Sequence, residues 1–177
     1  MKLPLLPITV TSPPNPITVL KQLPRAVLKS LPYVPFLLHR QVLDRVLKHI
    51  FKEALNDGEL DCLKHRWLKI EITDVKLQWL FSCGSQRDIE IKKEGPADVC
   101  IKGPLKSFIL LAAQKEDPDT LFFQRDLIIE GDTDLGLQIK NLLDSIDVNT
   151  LPAEIIFTLR ACAEYMTLFP NNSLEII

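Results

Sequence analysis

Between Gln41 and Leu55 apolar side chains recur at steps of three and four: Val42, Leu43, Val46, Leu47, Ile50, Phe51, Ala54 and Leu55. Asp44, Arg45, Lys48, Lys52 and Glu53 take the other side. That period predicts one amphipathic helix. Asn56-Asp57-Gly58 stops it, because Gly accepts the left-handed conformation in which helices end. The period then drops to two. Leu68, Ile70 and Ile72, then Leu77, Trp79 and Phe81, then Ile89 and Ile91 alternate with polar neighbours. Three short strands follow, an antiparallel meander with one covered face. Thr73-Asp74 and Cys83-Gly84-Ser85-Gln86 provide the turns. A fourth strand, Val99 to Lys102, ends at Gly103.

Pro104 stands where a first helical residue would, and its missing donor is harmless there. Leu105, Phe108, Ile109 and Ala112 mark the apolar face of a helix expected to end near Lys115. Glu116-Asp117-Pro118-Asp119 reads as a turn, and a fifth strand is expected around Leu127 to Ile129. The last core helix opens at Gly131-Asp132-Thr133-Asp134, where acidic groups suit the positive helix end. Leu135, Ile139, Leu142, Leu143 and Ile146 form its buried stripe, and residues 153–168 give one more helix with a weaker pattern. The sum is an α+β fold, helices packed on a sheet.

Composition divides the chain. Eight of the 13 prolines fall in the first 35 residues, and no acidic side chain precedes Asp44. Residues 1–43 carry Lys2, Lys21, Arg25, Lys29 and Arg40, a charge of +5, while the remainder sums to -7. The boundaries expected are a proline-rich basic arm over 1–37, a domain over 38–150, and a C-terminal helix and tail over 151–177. The near-neutral total excludes the basic surplus of a nucleic-acid binder. Leu3 to Leu20 lacks charge but is broken by five prolines, so it reads neither as a membrane span nor as a signal peptide. The expected compartment is therefore the cytoplasm, with peripheral contact at the inner face of the membrane left open. Within 17–31, Lys21, Arg25 and Lys29 lie opposite Leu20, Leu23, Val27 and Leu31. Such a basic amphipathic segment fits either a membrane surface or a partner protein.

Reactive constellations are missing from the sequence. Cys62, Cys83, Cys100 and Cys162 lack metal or redox spacing, and His39, His49 and His65 are scattered. The carboxylates of 116–119 and 126–134 sit at turns and a helix start, where solvation and capping account for them. No nucleophile elbow, zinc motif or nucleotide loop occurs. Catalysis, metal and cofactor are therefore not expected. What the chain has in excess is apolar side chains: Phe108 to Ala113 and Leu121-Phe122-Phe123. Consecutive apolar positions on a helix cannot all face one core. They are either extra core or the lining of an internal cavity.

Ala97 to Phe108 (Ala-Asp-Val-Cys-Ile-Lys-Gly-Pro-Leu-Lys-Ser-Phe) resembles the strand-to-helix passage of the sterol carrier protein type 2 lipid-binding domain. Asp117 to Leu127, followed by Ile129-Glu130-Gly131-Asp132-Thr133-Asp134-Leu135-Gly136, is the more specific match. With the proline-rich arm it is similar to the small bacterial members that assist ubiquinone biosynthesis by the oxygen-independent route. The likeness spans about residues 38–150, with strong motifs only in the second half.

The resemblance implies a five-stranded, mainly antiparallel sheet whose helices enclose an apolar lipid cavity, without catalysis. It implies polyprenylated quinone intermediates as cargo and ubiquinone-biosynthesis enzymes as partners, including iron–sulfur hydroxylases that would carry the metal. In such a cavity helix geometry places Phe108, Leu111 and Ala112 in the wall, Leu121 and Phe122 at the rim, and Leu135, Ile139 and Leu143 opposite. Gly136 leaves room either for cargo or for close packing on the sheet, the latter being favoured. Each five-carbon isoprene unit buried is worth roughly 3–4 kcal/mol, so sheathing two or three would compete with a bilayer. The alternative is a protein-interaction adaptor with a filled core that docks through its arm.

Overall fold

Alternation of period two produces five strands: β1 (Leu68–Ile72), β2 (Leu77–Cys83), β3 (Ile89–Lys92), β4 (Val99–Gly103) and β5 (Ile128–Gly131). The computed structural model describes residues 33–86, 88–146 and 148–168, so the basic segment with Lys21, Arg25 and Lys29 lies outside the described residues. The strands form one sheet of order β3-β2-β1-β4-β5. β1, β2 and β3 make the expected antiparallel meander, β4 runs parallel to β1, and β5 returns antiparallel to β4. Register aligns the apolar positions on one face: Ile70 lies opposite Trp79 and beside Ile101, which in turn faces Ile129. The mainly antiparallel α+β architecture is as expected.

The other face is mostly polar, with Ile128 and Cys100 among its charged side chains. Lys69 pairs with Glu71 at 2.6 Å and Lys102 with Glu130 at 2.5 Å. Leu80, however, is buried there. The segment after β3 folds over it: a Cβ on Gly95 would lie 3.7 Å from its Cδ2, and Lys92 Nζ sits 3.8 Å above the Trp67 ring.

The first helical segment differs from the single helix expected over 41–55. α1 (Phe36–Ile50) starts directly after Pro35, and α2 (Lys52–Asp57) follows a break at Phe51. Phe51, at φ -94 and ψ 17, still donates to the Leu47 carbonyl and accepts from Leu55 at 2.8 Å each. The bend turns Phe51, Ala54 and Leu55 onto the main core. Gly58, at φ 82, closes α2 in the left-handed region. A 3-10 turn over Glu59–Leu63 then supplies Leu60 and Leu63 to that core.

Three helices follow the sheet's middle: α3 (Leu105–Ala112), α4 (Pro118–Phe123) and α5 (Thr133–Asp144). A 3-10 turn over Val148–Thr150 leads to α6 (Ala153–Leu168), the helix expected at 153–168.

Candidate lipid-binding site

α3, α4 and α5 each start on a side-chain carboxylate. Pro104 precedes α3 rather than opening it, and Asp74 of the β1–β2 turn accepts from the Leu105 N–H at 2.9 Å. A carboxylate from a distant turn thus satisfies a donor that Pro104 itself cannot cap. α3 ends one turn short of Lys115, with Gln114 at φ 51. The stretch expected as an acidic turn is the start of α4. Asp117 is its N-cap, accepting from the Thr120 N–H at 2.7 Å and its hydroxyl at 2.6 Å, and Pro118 fills the first helical position. Those two bonds hold the Asp117 carboxyl below its ordinary value of 3.8. Asp132 caps α5 as expected, accepting from the Leu135 N–H at 3.0 Å, and Arg66 donates to its second oxygen at 3.2 Å.

These caps fix the helices over the apolar sheet face. Leu135 and Ile139 of α5 are fully buried beside Val99 and Ile101. Phe108 of α3, Phe122 of α4 and Leu143 of α5 are half-buried against the same cluster. Leu121 is fully buried, and its carbonyl accepts from the Leu127 N–H at 3.0 Å. An ion pair between Lys140 and Asp119 ties α5 to α4. Gly136 is buried, and a Cβ there would lie 2.6 Å from Ile129 Cγ2, so its missing side chain serves packing on the sheet.

The structure therefore gathers Phe108, Phe122, Leu135, Ile139 and Leu143 around one apolar cluster. Ala112 points elsewhere: with Ala113, Val148, Ile156, Leu159 and Arg160 it lines a narrow crevice beneath α6, too tight for a water molecule. Leu111 is half-buried on α3. Sequence reasoning missed the neighbours that complete the cluster, Val99, Ile101 and Ile129, and the exposed Phe123 beside Phe122. The first three were legible only as strand positions; Phe123 was signalled by its place in Leu121-Phe122-Phe123.

The chemistry of this interior is apolar. Cys83 is its only buried heteroatom-bearing side chain among the described core residues. Burial pushes the Cys62, Cys100 and Cys162 thiols up, away from the thiolate. His39 lies edge-on to Trp79 at 5.7 Å, and His49 Nε2 is 2.6 Å from the Thr150 carbonyl. Among the described residues no group of three or more His, Cys, Asp or Glu could hold a metal ion. No described helix is long and apolar enough to cross a membrane.

An apolar sheet face roofed by three capped helices makes an α+β sandwich, and the chain belongs to the SCP-2 sterol transfer family, whose sequence model matches residues 43–144. Within that family it is similar to the ubiquinone biosynthesis accessory factor UbiT of Escherichia coli (strain K12), with 44% identity over 132 residues covering 75% of each chain. The UbiT of Escherichia coli O157:H7 matches equally. Among solved structures, UbiJ-SCP2, a ubiquinone synthesis protein, superposes with a TM-score of 0.51 at 18% identity, covering 62% of this chain and 97% of that one. That likeness shows the fold.

Proposed function

We propose that this protein is a non-catalytic accessory factor of oxygen-independent ubiquinone biosynthesis, holding polyprenylated quinone intermediates and presenting them to the enzymes that modify the ring. The observation that carries this reading is the 44% identity to UbiT across the domain. The apolar interior supports it, because its lining is almost wholly hydrocarbon and suits an isoprenoid tail. The isoprenoid tail parts α3 and α4 from α5 and lies against Phe108, Leu111, Leu135, Ile139 and Leu143, while Phe122 forms the rim; Ala112, turned to the α6 crevice, and Leu121, fully buried, take no part. The entry side is that of Phe108, Phe122 and Leu143, which are only half-buried. Each CH₂ transferred from water contributes about 0.8 kcal/mol, enough to offset the separation of a few side-chain contacts. Iron–sulfur hydroxylases would supply the redox chemistry. The basic segment at Lys21, Arg25 and Lys29 contacts the membrane or a partner, keeping the protein at the inner membrane face.

One observation favours a second reading, the adaptor with a filled core: Leu121, Leu135 and Ile139 are already fully packed. Native mass spectrometry of full-length protein purified from cells separates the two. The carrier reading expects a co-purified isoprenoid quinone precursor, released by Ile139→Glu. A lipid-free protein that takes up no added polyprenyl phenol would leave the adaptor.

A further inference from the structure

Phe122 of α4 and Leu143 of α5 are both half-buried against the main cluster. Each has a charged residue one turn before it on its own helix: Asp119 precedes Phe122 by three positions, and Lys140 precedes Leu143 by three. Those two charges pair across the seam between the helices. Among the described residues they make the one ion pair that joins α4 to α5. On the carrier reading the tail enters beside Phe122 and Leu143, so the pair stands at the mouth.

The two partners are unequal. The Lys140 side chain is 25% exposed and that of Asp119 74%. The lysine stem is mostly covered and ends in a charge at the seam, whereas the carboxylate stands in water. A pair with one partner so exposed is screened and contributes little, so parting α4 from α5 gives it up at small cost. The ammonium then keeps its donors and has lost its acceptor, beside side chains that are hydrocarbon. Such a cation selects an oxygen. A polyprenylated ring offers one as a phenol hydroxyl or a quinone carbonyl, and the ring stays at the mouth because the tail is the part that suits the apolar interior.

We infer that Lys140 is the anchor for the cargo's ring: Asp119 holds its ammonium in the closed domain, and once the tail parts α4 from α5 the ammonium donates to a ring oxygen at the mouth. The ligand class is an oxygenated aromatic ring, phenol or quinone, on a long isoprenoid tail. The anchor rests on the carrier reading and adds to it the contact that fixes how the ring is presented. It also discriminates, since the same tail on a ring without oxygen makes no such bond.

Two probes test this, geranylgeranyl phenol and geranylgeranyl benzene, offered to the full chain from detergent micelles and read by native mass spectrometry. Wild type should take up the phenol about tenfold better than the benzene. Lys140→Met should bind the benzene as wild type does and lose that preference, with thermal unfolding close to wild type because the pair it removes is largely solvated. Lys140→Arg should retain most of the preference, and Asp119→Asn should raise phenol uptake, since the ammonium no longer has to leave a partner. The anchor is overturned if Lys140→Met keeps the preference for the phenol, or if Asp119→Asn lowers phenol uptake, which would make the carboxylate the group that holds the ring. If wild type takes up both probes equally, the anchor falls and the carrier reading stands. If it takes up neither, the carrier reading falls and the anchor with it.

Discussion

Asp117 shows how one side chain can set the geometry of the site. Its two oxygens take both the amide and the hydroxyl of Thr120, and the charged form is the one these donors favour. The folded-state value thus lies below the unfolded one. A depressed carboxylate contributes stability that is whole above its unfolded value and is lost as pH falls through the folded value. In an NMR titration the Thr120 amide should therefore shift with a midpoint below 3.8, and Thr120→Val should move that midpoint up. A midpoint unchanged by the substitution would mean that the hydroxyl does not hold the charge. Glycines act at the same scale. Gly131 ends β5 at φ 102, and an added Cβ would strike the Asp98 carbonyl, a backbone atom fixed by its bond from the Asp132 N–H at 2.9 Å. Gly131→Ala should cost about 2 kcal/mol or more. At Gly136 the obstacle is the Cγ2 of Ile129, a β-branched strand side chain stiff at χ1, and alanine regains about 1 kcal/mol of helix propensity against that clash. Gly136→Ala should therefore cost about 1 kcal/mol, less than Gly131→Ala, by urea denaturation.

At the scale of elements, the sequence was most legible where periodicity and capping agreed. The meander's strands and the start of α5 at Asp132 follow from local pattern, and α6 fills 153–168 on a weaker one. Legibility failed where the decisive partner is far along the chain. Nothing near Leu80 reveals that Gly95 will cover it, and nothing near Pro104 reveals that Asp74 will cap the helix behind it. α4 failed for a different reason. Six residues are too few to show a helical period, and Asp-Pro is common both to turns and to helix starts. For the site, the apolar excess in α3 and α4 was visible, but periodicity could not tell that Phe108 and Ala112 serve different clusters. Capping at Asp132 gives the element-scale prediction. Asp132→Ala removes the acceptor for Leu135 and should cost about 1 kcal/mol, while Asp132→Asn should retain most of it. The exposed Arg66 ion pair adds little to that difference. Urea midpoints that fall equally for both variants would assign the loss to the ion pair instead.

Across the whole molecule the apolar contacts separate into units. The main cluster joins α2, the 59–63 turn, the sheet and α5. A smaller one joins α3 to α6 through Leu110, Ala113 and Ala163, with Ile109 and Leu159 alongside. α6 meets the domain chiefly at α3 and the 148–150 turn, and the crevice beside Ala112 and Arg160 runs along that seam. Small side chains bring the helices close but bury little area per contact, so α6 should open at a lower free energy than the sheet beneath it. α6 also lies beyond residues 43–144, the part matched to the family. Leu159→Asp places a charge in the seam without touching the main cluster. Hydrogen exchange should then rise over 153–168 and along α3, while β1, β2 and β4 keep their protection and the sheet's cooperative unfolding is unmoved. If exchange rose through the sheet as well, α6 would be a cooperative part of the core.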